Sequence, residues 1–121
     1  MSIKRILIVD DSPTERLLLT QILAAGGFEI MTAENGEEGI ERAKQLHPDL
    51  ILMDVVMPGM NGFQATRALS RDEATKVIPV IMCTTKSQET DKVWGLRQGA
   101  LDYVTKPVDG PILLAKIAAL G

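Results

Sequence analysis

Hydrophobic residues in this chain gather into three short, almost unbroken runs: Ile6-Leu7-Ile8-Val9, Leu50-Ile51-Leu52-Met53 and Val80-Ile81-Met82-Cys83. Runs this short, rich in branched side chains and closed by polar residues, predict strands buried on both faces. Two weaker stretches, Phe28 to Ala33 and Leu101 to Val104, carry a charge within the run, Glu29 and Asp102. That pattern suits edge strands better than central ones.

Helical spacing fills the intervals. Ser12-Pro13-Thr14-Glu15 has the form of a capping box with proline at the first helical position. Leu18, Ile22 and Ala25 then recur on one face, and Gly26-Gly27 closes the helix. Ile40, Ala43 and Leu46 mark a second helix, stopped by His47-Pro48. Gly62 to Ser70 reads as a third, and Gln88 to Gln98 as a fourth that ends at Gly99. Asp109-Gly110-Pro111 opens a fifth, with Leu113, Ile117 and Leu120 on one face. Five βα units with short connections predict an α/β fold built on one parallel sheet. The helices differ in sequence, so the units are not a repeat array.

Composition narrows the class. At 121 residues the chain is expected to form one domain over 1–121, large enough to need no disulfide or structural metal. A formal charge of −3 without a dense Lys/Arg cluster speaks against nucleic acid as a partner. No apolar run approaches the roughly 20 residues of a membrane span, and the N-terminus lacks a signal-peptide core. A cytoplasmic protein with no membrane contact is expected. The single cysteine, Cys83, sits inside an apolar run and reads as a reduced, buried side chain.

In a doubly wound parallel sheet, ligands sit beyond the carboxyl ends of the strands. The first strand ends in Asp10-Asp11 and the third in Asp54. Thr84-Thr85 follows the fourth, and Thr105-Lys106-Pro107 the fifth. Taken singly, each has an ordinary explanation: an Asp can cap a helix, and Thr or Lys-Pro can make a turn. Together they place three carboxylates, a hydroxyl and an ammonium on one edge. Carboxylates so close repel and raise one another's pKa, so the cluster calls for a cation. Hard oxygen donors with room for water suit Mg²⁺. The first βα turn, Val9-Asp10-Asp11-Ser12-Pro13, has no glycine and two negative charges, which disfavours a permanently bound nucleotide or flavin phosphate.

These residues resemble the receiver domains of two-component signalling, the CheY-like family. The resemblance runs from Ile3 to about Leu120. It rests on the acidic pair Asp10-Asp11, on Asp54, on Met57-Pro58-Gly59, on Thr84 and on Lys106-Pro107, in order and in register. It implies a flavodoxin-like (βα)5 fold with strand order 2-1-3-4-5, carried over from the family rather than from spacing. It also implies that Asp54 is the phosphoacceptor. Asp11, Asp54 and the backbone carbonyl of Val56 would hold Mg²⁺ (or Mn²⁺), with Asp10 acting mainly through water. Thr84 and Lys106 would each contact a phosphoryl oxygen, and the Lys106–Pro107 bond would be cis. A histidine kinase would be the phosphodonor.

The family's switch implies further roles. Tyr103 would follow Thr84 inward, altering the face made by helix four, strand five and helix five, although it also fits a tyrosine half-buried on an edge strand. Lys92, Trp94, Leu96 and Tyr103 would then contact a partner. Trp94 also fits plain core packing beside Val93 and Leu96. Val56 and Lys86 occupy the family's two tuning positions; Val56 offers no side chain to orient water, and Lys86 could screen the phosphoryl group. A closer resemblance joins Asp11-Ser12-Pro13-Thr14-Glu15, Gly62 to Arg67 and Gln88 to Gly95 to the twitching-motility regulators of type IV pilus chemosensory systems. The resulting expectation is a monomeric response regulator that acts on a downstream motility or signalling protein, or drains phosphoryl groups from its kinase. An enzyme with an aspartyl intermediate is disfavoured by Val56, where the haloacid-dehalogenase phosphatases want a second Asp. A receiver used only as an interaction module is disfavoured by retention of all five site residues. The sequence also leaves open a chain cut from a larger regulator.

Overall fold

The computed structural model describes residues 3–120, in which five strands and five helices alternate. The expected domain limits, 1 and 121, fall outside these described residues. Strands β1 (Arg5–Val9), β2 (Glu29–Ala33), β3 (Leu50–Met53), β4 (Val80–Thr84) and β5 (Asp102–Thr105) form one parallel sheet in the order β2-β1-β3-β4-β5. The three apolar runs are its three central strands. The two runs that carry a charge are its edges.

Alternation along each strand feeds two cores. Ile6, Ile8, Leu50, Leu52, Ile81, Cys83 and Val104 meet Leu19 and Leu23 of α1 (Pro13–Ala25) and Leu113 and Ile117 of α5 (Gly110–Leu120). Leu7, Val9, Ile51, Met53 and Met82 meet Ala43 of α2 (Gly36–Leu46) and Ala65 and Leu69 of α3 (Gly62–Arg71). The remaining helix, α4 (Glu89–Arg97), lies on this second face, with Gly95 against Met82 and Tyr103.

The face of α1 differs from the expected one. Leu18 and Ala25 are exposed, and Leu19 and Leu23 are buried instead, with Ile22 partly buried beside them. Three consecutive leucines, Leu17 to Leu19, allow either stripe by spacing alone. Only the direction of the helix over the sheet selects one. The capping box is also half made. The Ser12 hydroxyl accepts from the Glu15 N–H, but the Ser12 N–H donates to Asp10 Oδ1 rather than to Glu15.

Because β1 lies between β2 and β3, the connections leaving β1 and β3 run to opposite faces of the sheet, and a crevice opens between the carboxyl ends of those strands.

Candidate functional site

Asp10 and Asp54 close the two neighbouring strands β1 and β3. The Asp54 N–H donates to the Val9 carbonyl and the Asp10 N–H to the Ala33 carbonyl, so the ladder holds both to their last residue. Both are buried although charged; Asp11, one residue on, is exposed. Carboxylate oxygens of Asp10, Asp11 and Asp54 all lie within 4.8 Å of one another. Hard oxygens gathered this closely, on strands that cannot move apart, fit a divalent cation.

Lys106 enters from the end of β5, where its N–H donates to the Thr84 carbonyl. The Lys106–Pro107 peptide is cis. Its ammonium donates to Asp10 Oδ2 at 2.7 Å and lies 3.8 Å from Asp54 Oδ2 and 3.7 Å from Glu15 Oε2. Asp10 therefore has both oxygens engaged, Oδ1 by the Ser12 N–H and Oδ2 by Lys106. Asp54 uses Oδ1 to accept from the Val55 N–H and keeps Oδ2 facing the crevice. That asymmetry separates the two buried carboxylates: Asp10 has both oxygens engaged at short range, whereas Asp54 Oδ2 has its nearest cation at 3.8 Å.

Burial, and then the charge of Asp10, raise the Asp54 pKa; Lys106, the Val55 N–H and the Thr84 hydroxyl work in the opposite direction without cancelling them. Lys106 is the cation nearest to Asp54 and could offset the repulsion on it. It offsets only part, because its short contact is with Asp10. Burial works to lower the Lys106 pKa, but the hydrogen bond to Asp10 and the charges of Asp54, Asp10 and Glu15 outweigh it and leave the ammonium firmly protonated.

Thr84 is fully buried at the end of β4, and its hydroxyl accepts a long contact, 3.4 Å, from the Lys86 N–H. Lys86 is exposed, with its ammonium 3.9 Å from Asp91. Val56 is exposed beside Asp54. The loop from Val56 into α3 is steadied by Glu37, whose carboxylate accepts from the Met60 N–H at 3.2 Å, and by Gly59 at a positive φ of 73°. The Cys83 thiol is buried one position before Thr84, and burial pushes it up to about 12, so it takes no part as a thiolate at neutral pH.

Trp94 and Leu96 flank the buried Gly95 on α4, each about half exposed, which removes the core-packing alternative for Trp94. Lys92 is partly buried on the same helix. Tyr103 is not on that surface. It is buried behind α4, its ring against Gly95, and its hydroxyl donates to the Lys86 carbonyl at 2.6 Å.

Two participants have no counterpart in the sequence reading. Glu15 reads as a helix cap, yet its carboxylate faces Lys106. Arg16 donates from Nη1 to the Asp10 carbonyl at 2.8 Å and pairs through Nη2 with Glu34 at 3.5 Å, bracing the β1 end. Sequence carries one signal for Glu15, its place four residues after the acidic pair on a helix that starts beside it.

Residues 6–118 match the response regulator receiver domain. The chain belongs to this family. It is 61% identical to Protein PilH of Pseudomonas aeruginosa over 116 residues, 96% of both chains. It spans about half the length of other curated relatives that it matches. Among solved structures, the chemotaxis protein CheY4 of Vibrio cholerae superposes with a TM-score of 0.91 at 31% identity, covering 99% of this chain and 100% of that one. The receiver fold is also shared with a CheX-CheY-BeF3-Mg²⁺ complex of Borrelia burgdorferi, at a TM-score of 0.90 and 32% identity, over 97% and 88% of the two chains. Among the described residues, no helix of this receiver domain is long and apolar enough to cross a membrane.

Proposed function

We propose that this receiver domain is the phosphoacceptor of a two-component relay, that Asp54 takes the phosphoryl group from a histidine kinase, and that the output serves pilus-based motility or chemotaxis. The observation that carries the reading is the Oδ2 of buried Asp54, held 3.8 Å from Lys106 within the three-carboxylate cluster.

The chemistry follows from the residues. Asp54 Oδ2 forms a bond to phosphorus as the bond from phosphorus to the kinase imidazole nitrogen breaks, and that nitrogen keeps the electron pair. Asp54 becomes an acyl phosphate, which water later hydrolyses to inorganic phosphate and the free carboxylate. Phosphoryl transfer asks a protein chiefly for alignment and for charge on the equatorial oxygens. Lys106 supplies one such charge and the Thr84 hydroxyl a donor. Asp11, Asp54 and the Val56 carbonyl would hold Mg²⁺ or Mn²⁺, with Asp10, both of whose oxygens are engaged, contributing through water. The cation, when bound, neutralises the transferring oxygens and the clustered carboxylates. The relative solved with BeF3 and Mg²⁺ supports this assignment.

The phosphoryl group adds charge of roughly −1.5 to −2 and new acceptor oxygens beside Thr84. Tyr103 and the Lys86 carbonyl connect that point to α4, whose exposed Trp94 and Leu96 offer a contact for a downstream protein. The domain itself turns over no external substrate. It works as a cytoplasmic monomer, with neither nucleic acid nor membrane as a partner. Similarity to PilH supports the motility assignment.

The test is intact mass after incubation with Mg²⁺ and a small phosphoryl donor such as phosphoramidate, and separately with the cognate kinase. One hydroxylamine-sensitive phosphoryl group, lost in Asp54→Asn and with chelator, is expected. No adduct from either donor would replace this reading with a phosphorylation-independent binding module.

A further inference from the structure

The Glu15 carboxylate is the one element of the cluster that neither the metal nor the phosphoryl chemistry requires. As the fourth residue of Ser12-Pro13-Thr14-Glu15 it should fold back to the Ser12 N–H. That N–H is already taken by Asp10 Oδ1 at 2.9 Å, so the cap bond is closed to Glu15. Its Oε2 instead lies 3.7 Å from Lys106 Nζ, an ammonium whose side chain is only 7% exposed. Lys106 thus sits among three carboxylates, with Asp10 at 2.7 Å, Glu15 at 3.7 Å and Asp54 at 3.8 Å.

Asp10 and Glu15 both draw the ammonium toward the β1 and α1 side. Phosphorylation of Asp54 needs it on the β3 side. Resting on the phosphoacceptor reading of Asp54, we propose that Glu15 is a positioning residue that competes with the phosphoryl group for Lys106 and thereby restrains both the formation and the persistence of the acyl phosphate. It touches no reacting atom. Its influence passes through the ammonium.

Glu15→Gln keeps the shape of the side chain and removes its charge. Glu15→Asp keeps a negative charge in the first turn of α1, where it favours the helix, but shortens the side chain so that it no longer reaches Lys106. Both should form the Asp54 adduct from phosphoramidate faster than wild type by roughly two- to fivefold, the scale of a partly exposed ion pair. Both should also lose the adduct more slowly. In a Lys106→Met background, Glu15→Gln should change neither rate. A thermal-stability double-mutant cycle on the unphosphorylated protein should show coupling between Glu15 and Lys106.

Absent coupling overturns the proposal. So does a Glu15→Asp protein with wild-type rates, which would assign Glu15 to the helix end, or an effect of Glu15→Gln that survives in Lys106→Met. If wild type forms no adduct from phosphoramidate or kinase, the Asp54 reading fails and the competition fails with it. The stability cycle still reports whether the ion pair exists, so the two failures are distinguishable.

Discussion

Gly62 packs against the main-chain carbonyl of Asp54 so closely that a β-carbon at position 62 would overlap the carbonyl oxygen. Its N–H also donates to the Val55 carbonyl at 2.9 Å, fastening the start of α3 to the end of β3. The atom in the way is backbone, which cannot swing aside. Gly62→Ala should therefore cost about 2–3 kcal/mol, at the upper end of overpacking penalties. It should also slow the proposed phosphorylation of Asp54 by displacing the carboxylate. Urea denaturation and intact-mass kinetics on the same protein check both. Stability within experimental error of wild type would show that α3 can slide.

The Tyr103 phenol is pushed up to about 12 by burial, with the charges of Asp91 and Asp54 adding to it, so it remains a donor to the Lys86 carbonyl well above neutrality. Tyr103→Phe keeps the ring and loses this bond. A loss of about 0.5–1.5 kcal/mol is expected, that of one hydrogen bond whose acceptor can turn to water. A near-ultraviolet titration of wild type should show the phenol ionising well above its ordinary pKa.

Asp54 depends on pH in the sense opposite to most carboxylates. Burial and Asp10 raise its folded-state pKa above the unfolded value. Its contribution to stability is thus fully present below about pH 4 and is lost as the pH rises through the folded value. Asp54→Asn should be more stable than wild type at neutral pH by about 0.5–2 kcal/mol, as often follows when a functional site is relaxed. The gap should close in acid and should narrow when Mg²⁺ is added. Thermal melts across pH, with chelator and with metal, read out all three. A gap unchanged in acid would assign the gain to packing.

Asp49 behaves in the opposite way. Its Oδ2 accepts from the Arg5 and Lys4 N–H groups, both at 2.9 Å, and these bonds lower its pKa, the Arg5 bond most. A lowered folded-state pKa gives stability above the unfolded value that is lost as the pH falls through the folded one. Asp49→Ala should cost about 1–2 kcal/mol at pH 7. The gap should begin to narrow below about pH 4 and close only as the pH falls through the lowered folded value. Parallel curves with a constant offset would mean that the carboxylate charge is irrelevant.

Trp94 is 48% exposed on α4, so Trp94→Ala should cost about 1–2 kcal/mol, less than the roughly 3–5 kcal/mol of a fully buried tryptophan. Iodide should quench its fluorescence readily in the free protein. Strong protection in the isolated, monomeric chain would mean that the ring is covered.

What the sequence shows well is what depends on short stretches of chain. Leu50 to Met53 reads as a buried strand because four apolar residues meet no competing signal, and Glu29 and Asp102 mark their strands as edges. Asp10, Asp54, Thr84 and Lys106 are legible because each stands at a strand end, and one parallel sheet brings all such ends together. The destinations of long side chains are less legible. Glu15 looks like a cap until the Ser12 N–H is seen to be occupied by Asp10, a fact of three-dimensional placement. Leu19 displaces Leu18 from the core because a triple leucine carries no phase of its own. Lys106 pairs most closely with Asp10, although spacing alone treats the carboxylates as equivalent.

Helix α4 is secured unevenly. At its carboxyl end the Ser70 hydroxyl donates to the Gln98 carbonyl at 3.0 Å and packs beside Gly99, tying the helix to α3. At its amino end Gln88 provides no side-chain cap. A rod clamped at one end swings from that end. A push arriving by the proposed route through Thr84 and Lys86 would act at the loose tip, where leverage is greatest, and would displace the near turns more than the far ones. Amide hydrogen exchange should accordingly run faster at Glu89 to Asp91 than at Gln98 to Ala100, giving α4 a gradient of motion along its axis rather than a uniform shift.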